Sequence, residues 1–171
     1  MLDSTPPDVV STLPADAALV NSLTSVQVTF NEPVQQVNQG DLLVNGSGTA
    51  NAIAGSGAGP YTFTIPQPAD GTVNLSMTTG LPATIDLAGN PYSGPTDWSV
   101  TLDSDAPDVA TVSPADAAQV NTLTTVSVTF DEAVQSVNAA DLLVNGAATA
   151  TGLSGTGPWT FTIPQPSEGT V

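Results

Sequence analysis

In Ser25-Val-Gln-Val-Thr-Phe30 the apolar residues Val26, Val28 and Phe30 alternate with polar ones. That is the two-residue period of a strand with one buried face. Tyr61-Thr-Phe-Thr-Ile65 alternates the same way, as do Val73, Leu75, Met77 and Trp98, Val100, Leu102. No segment shows a convincing 3.6-residue period, and threonine and valine, which suit half-buried strands, are abundant. Asn45-Gly46 and Asn145-Gly146 follow apolar runs and predict tight hairpin turns, because Asn-Gly tolerates positive φ. The pattern predicts strands near Asp8–Leu13, Ser25–Phe30, Val34–Val37, Asp41–Val44, Thr49–Ala54, Tyr61–Ile65, Thr72–Thr78 and Thr96–Leu102. Seven or eight short strands in about 100 residues predict an immunoglobulin-like β-sandwich, with a small barrel as the alternative.

The pattern occurs twice. Asp3–Ala50 aligns with Asp103–Ala150 at an offset of 100, and Pro60–Val73 with Pro158–Val171 at an offset of 98. Of the 62 aligned pairs, 42 are identical. A period of about 100 residues is the size of one sandwich domain and too long for a solenoid repeat. The expectation is an all-β chain of tandem immunoglobulin-like β-sandwich domains. A complete domain is expected at residues 1–102 and a second, incomplete repeat at 103–171, since nothing in it corresponds to Asn74–Leu102. Such a repeat is expected to expose an open edge and part of its core.

Composition narrows the chemistry. The chain has 171 residues, with 16 Asp and Glu and no Lys, Arg, His or Cys. Without Lys or Arg it has no phosphate clamp, so nucleic acid and anionic membrane surfaces are excluded as partners. Without His and Cys the usual zinc sites, Ser-His-Asp and Cys-His nucleophile systems and disulfides are excluded. No run of 18 apolar residues is present, so no transmembrane helix is expected. Met1-Leu2-Asp3 lacks the basic and apolar regions of a signal peptide.

Several motifs, in order, resemble one family. Pro7-Asp8-Val9, Pro14-Ala-Asp-Ala-Ala18 and Val28-Thr-Phe-Asn-Glu-Pro-Val34 are similar to the opening of bacterial Ig-like repeat domains. Asp41-Leu-Leu-Val-Asn-Gly46, Tyr61-Thr-Phe-Thr-Ile65, Ala69-Asp-Gly-Thr-Val73 and Asp86-Leu-Ala-Gly-Asn-Pro91 continue the resemblance. The joint Thr101-Leu-Asp-Ser-Asp-Ala-Pro107 is similar to the Asp-rich linker between such repeats. The resemblance implies a module of a large secreted or surface-anchored bacterial protein, often an adhesin or biofilm protein. Many copies there form a stalk, and some related repeats bind Ca²⁺ at or near domain junctions. The implied partners are neighbouring repeats of the same chain, with any host or surface ligand bound elsewhere in the parent protein.

Hard oxygen ligands are the only good ones in this composition, which points to Ca²⁺. In a sandwich, the start of the first strand, the loop between the second and third strands and the last hairpin share one end. In the second copy that end is expected to gather Asp103, Asp105, Asp131 and Glu132; in the first, Asp3, Glu32 and Asp86. The opposite end of the first copy presents Asp16 and Asp70. The alternative is that all these acids are solvated turn residues, where Asp is common because it bonds local backbone N–H groups. No EF-hand loop is present, since Asp103-Ser-Asp105 lacks the glycine and distal glutamate.

Enzyme chemistry would rest on two carboxylates alone. The Asp-Thr/Ser-Gly triplet of aspartic proteases is absent, and the eight aromatic residues fall mostly at inward strand positions. Trp98 and Trp159 read as core residues. The expectation is therefore a non-enzymatic structural or interaction module at the bacterial cell surface. Its rivals are a glycan- or protein-binding module and an accessory domain of an extracellular enzyme.

Overall fold

In the computed structural model, which describes residues 2–78, 84–94 and 96–171, the alternating run Ser25–Phe30 is a strand. Its Val26, Val28 and Phe30 are almost fully buried. Burying side chains of this size contributes about 1.5–3 kcal/mol each, so such alternation decides which face turns inward. The chain divides into two units, Met1–Asp105 and Ala106–Val171.

Unit one contains β1 (Val9–Leu13), β2 (Ala18–Val20), β3 (Ser25–Phe30), β4 (Val34–Gln35), β5 (Leu42–Val44), β6 (Ala52–Ala54), β7 (Tyr61–Thr64), β8 (Gly71–Met77), β9 (Ile85–Asp86) and β10 (Thr96–Leu102). One sheet runs β1-β3-β7-β6 and a second runs β2-β10-β8-β5; β4 and β9 form a separate pair. Most neighbours are antiparallel, but β2 lies parallel to β10, with Ala18 opposite Val100. Inward residues of both sheets, among them Phe30, Phe63, Leu42, Val73, Leu75 and Leu102, form one core. The barrel alternative fails, because the two sheets stay separate and pack face to face.

Two of these strands, β2 and β9, were not expected from the sequence, and five expected ones are shorter, Val34–Val37 and Thr49–Ala54 by more than one residue. The run Val34–Val37 stops at Gln35 because Gln36 takes a left-handed φ of 64°. The chain then makes a 3-10 turn at Gln39–Asp41, with Asn38 and Asp41 bonding each other's backbone in a capping box.

Unit two contains β11 (Val109–Ser113), β12 (Thr125–Phe130), β13 (Leu143–Val144), β14 (Ala147–Ala148), β15 (Gly152–Ser154) and β16 (Trp159–Thr162). Its sheet, β11-β12-β16-β15, repeats the order β1-β3-β7-β6, and β13 pairs with β14. The β13–β14 loop is Asn145-Gly146 with φ of 52° and 79°, the pair of positive angles a two-residue primed hairpin turn needs. Val128, Phe161 and Ile163 are buried, like their counterparts Val28, Phe63 and Ile65. Val126, Phe130, Val134, Leu142, Val144 and Trp159 are only half-buried, although Val26, Phe30, Val34, Leu42, Val44 and Tyr61 are buried.

Candidate metal centre

Asp3 precedes β1, Glu32 lies in the β3–β4 loop, and Asp86 ends β9, which pairs with Val34 of β4. The fold thereby brings all three to one end of unit one. Each offers a carboxylate oxygen, and these oxygens lie within 4.8 Å of one another. Asp3 is exposed, Glu32 half-buried and Asp86 only 1% exposed.

The sequence Asp86-Leu-Ala-Gly-Asn90 explains how a buried carboxylate is tolerated. The Asp86 Oδ1 accepts the backbone N–H groups of Ala88 and Asn90, both at 2.8 Å. Its Oδ2 accepts the Asn90 side-chain amide at 2.7 Å. Gly89, at φ 93°, lets the chain turn tightly enough to aim these donors inward. Burial works against the charged form of Asp86, but donation from Asn90, Ala88 and Gly89 outweighs it and holds the pKa below the ordinary value. The Asn90 amide also donates to the Asp3 carbonyl at 3.2 Å, which pins the N-terminal segment to this turn.

Glu32 is shifted the other way. Burial, then the charges of Asp3 and Asp86, raise its pKa above the ordinary glutamate value. The chain has no Lys, Arg or His to offset the cluster.

Three of the other candidate acids, Asp16, Asp70 and Asp131, fasten segments distant in the chain. Asp16 accepts the backbone N–H of Ser99 at 3.0 Å. Asp70 accepts the N–H of Ser104 at 3.1 Å and its hydroxyl at 2.8 Å, holding the segment after β10 against the start of β8. Among the described residues neither Asp16 nor Asp70 belongs to a cluster of three or more acids. Asp103 is exposed and donates its N–H to the Val20 carbonyl at 2.9 Å; Asp105 is exposed. In unit two Asp131 accepts the N–H of Asp108 at 2.8 Å and returns its own N–H to the Asp108 carbonyl at 3.0 Å. Asn31 and Asp8 make the same exchange in unit one, so Asp131 fastens β11 to β12. Glu132 is exposed.

Sequence reasoning passed over Asp41, which is buried at 4% exposure and accepts from Asn38 and Thr84. Burial outweighs those bonds and raises its pKa. The Asn38–Asp41 spacing of a capping box was the available signal. None of the eight aromatic side chains is exposed; Trp98 is buried and Trp159 half-buried. No helix among the described residues is long and apolar enough to cross a membrane.

Two facing sheets in this strand order, closed by loop ends without an aromatic cleft, define an immunoglobulin-like β-sandwich protein. The profile of the bacterial Ig-like domain family matches residues 3–101, and the chain belongs to that family. No curated protein matches it in sequence.

Proposed function

We propose that the chain is a non-catalytic repeat module of the stalk of a large bacterial surface or secreted adhesin, stiffened by Ca²⁺. The family match over residues 3–101 carries the module reading. Short linkers between sandwiches set reach, and the charge of −16 keeps a long array soluble and self-repelling.

The residues of the acidic end suit Ca²⁺ in kind and spacing. Oxygens about 2.3–2.6 Å from one ion lie within about 5 Å of each other. The carboxylate oxygens of Asp3, Glu32 and Asp86 meet that limit. Asp86 Oδ2 accepts a single hydrogen bond from Asn90, so a lone pair remains for a cation. Ca²⁺ takes 6–8 oxygens, so main-chain carbonyls and water complete the shell. A bound cation also relieves the repulsion from Asp3 and Asp86 that, after burial, raises the Glu32 pKa. The glycan-binding rival needs an exposed aromatic platform, and all eight aromatic side chains are buried or half-buried.

Calorimetry of the 171-residue chain in EDTA and in millimolar Ca²⁺, at matched ionic strength, tests the reading. A cation that binds only the folded state at about 100 times its Kd shifts the Tm of a 100-residue domain by about 10 °C. The shift is expected and is lost in Glu32→Gln. No shift leaves a metal-independent spacer whose acids serve solubility.

A further inference from the structure

The chain leaves β10 through two residues that unit one still holds. β10 ends at Leu102, opposite Gly71 at the start of β8. Asp103 then donates its N–H to the Val20 carbonyl at 2.9 Å, which carries the pairing of β2 with β10 one residue further. At Ser104 both donors meet one carboxylate. Its backbone N–H donates to Asp70 Oδ2 at 3.1 Å, and its hydroxyl oxygen lies 2.8 Å from Oδ1 and 3.0 Å from Oδ2. Hydrogen bonds to a carboxylate are stronger than neutral ones, and two donors from one residue fix its orientation as well as its place.

Unit two holds its own first residues in the same way. Asp108 donates its N–H to Asp131 Oδ1 at 2.8 Å and accepts the Asp131 N–H on its carbonyl at 3.0 Å. Between the two clasps stand Asp105, Ala106 and Pro107. The ring of Pro107 fixes its own φ, and the residue before a proline is confined to extended backbone. Asp105 is thus the one residue of the three with neither torsion narrowed by Pro107.

We infer that Asp70 is a clasp that extends the rigid part of unit one through Ser104. The chain's freedom between the two clasps is then confined to Asp105–Pro107, with Asp105 as the hinge. The clasp is made of hydrogen bonds alone, and both Asp70 oxygens serve Ser104. It needs no cation and stands apart from the Ca²⁺ reading of the acidic end. Stiffness of this origin is built into the sequence and does not follow the ion content of the medium.

Backbone nitrogen relaxation on the full chain in EDTA tests the inference. Order parameters of about 0.85 mark a rigid backbone, and values below about 0.6 a flexible one. Asp103, Ser104 and Asp108 are expected at the rigid value, with Asp105 and Ala106 below it. Asp70 is exposed, so Asp70→Ala should leave the sandwich folded, and the Thr101 amide on β10 should keep the rigid value. In that variant Ser104 is expected to fall below about 0.6. Its amide should exchange with solvent about tenfold faster, the low end for a hydrogen bond to a charged group. Asp97→Ala removes another exposed charge, at the far end of β10, and should leave Ser104 unchanged. A Ser104 that is flexible in the wild type, or that Asp70→Ala does not loosen, overturns the inference. So does equal loosening by Asp97→Ala, or an Asp105 and Ala106 as rigid as Ser104. A Ser104 that is rigid only in Ca²⁺ overturns it too and assigns the joint to the cation. Absence of a Ca²⁺ shift in melting removes the reading of the acidic end and leaves the clasp standing.

Discussion

Asn90 donates its side-chain amide to the Asp86 carboxylate at 2.7 Å and its own backbone N–H to the same carboxylate at 2.8 Å. One residue thus supplies two of the donors that keep a buried charge in place. Because these bonds hold the folded pKa of Asp86 low, the group stabilises the fold above its unfolded pKa, about 3.9. That stability is lost as pH falls through the folded value. Asn90→Ala removes the side-chain donor and the tie to the Asp3 carbonyl. Thermal melts at neutral pH are expected to show a lower unit-one Tm for Asn90→Ala. Between about pH 5 and pH 2 the variant's Tm should fall less steeply, because less depression remains to be titrated.

Glu32 carries the opposite sign. Its folded pKa is raised, first by burial and then by Asp3 and Asp86. A raised group adds stability that is full below its unfolded pKa, about 4.3, and lost as pH rises through the folded value. At pH 7, in EDTA, Glu32 therefore burdens the fold. Glu32→Gln should raise the unit-one Tm at pH 7 without metal, and the gain should vanish by about pH 4. With Ca²⁺ the order of wild type and variant should reverse. A variant less stable than wild type in EDTA at pH 7 would contradict the electrostatic account.

The Tyr61 hydroxyl lies 3.2 Å from the carbonyl oxygen of Val34 and 3.0 Å from that of Gly57, bridging β4 and the β6–β7 loop. Its ring packs edge-on against Phe30 with centroids 5.9 Å apart. Tyr61→Phe keeps the ring and deletes the bridge. The expected loss is about 1–2 kcal/mol, from the hydrogen bond removed at a buried site. Urea titration should show a lower midpoint with an unchanged slope. The second copy has Trp159 at this position, which lacks the hydroxyl, so Tyr61→Trp should lose the bridge as well.

The long alternating strands were legible because two-residue periodicity follows directly from burial on one face. Ser25–Phe30 and Thr96–Leu102 have the predicted bounds. β2 was not legible: Ala18-Leu-Val20 is too short to show a period, and its partner β10 lies about eighty residues further along the chain. β9 has two residues, held as a strand by Val34 and Gln35 rather than by its own pattern. Topological reasoning places Asp3, Glu32 and Asp86 at one end because strand ends and loops sort by direction. The burial of Asp86 was not legible, since it depends on donors that a turn brings inward. The hydrogen bonds of Asp16, Asp70 and Asp131 were not legible either: each accepts a backbone N–H from a residue 83, 34 or 23 positions away, so the fold, and not the local turn chemistry of aspartate, supplies the donor.

The loop Gly55-Ser-Gly-Ala-Gly59 separates two kinds of glycine. Its carbonyls hold other strands: Ala58 accepts the N–H of Phe30 at 2.8 Å and Gly57 that of Val34 at 2.9 Å. Gly55 has φ 138°, and an added Cβ would stand 2.6 Å from the Pro60 carbonyl oxygen and 2.8 Å from the Tyr61 Cα. Both are backbone atoms of the adjoining β7 segment, which cannot move without disturbing the core around Tyr61. Gly57 has φ 65° with nothing within 4 Å of an added Cβ, so alanine there meets only the left-handed backbone cost. Gly57→Ala should cost about 1 kcal/mol and Gly55→Ala about 3 kcal/mol, near the upper range for one substitution. Trp98 lies in the unit-one core and Trp159 in unit two, so fluorescence in a Trp159→Phe background reports unit one alone. Equal losses at the two glycines would mean that the β6–β7 loop yields freely, and that its carbonyls do not anchor β3 and β4.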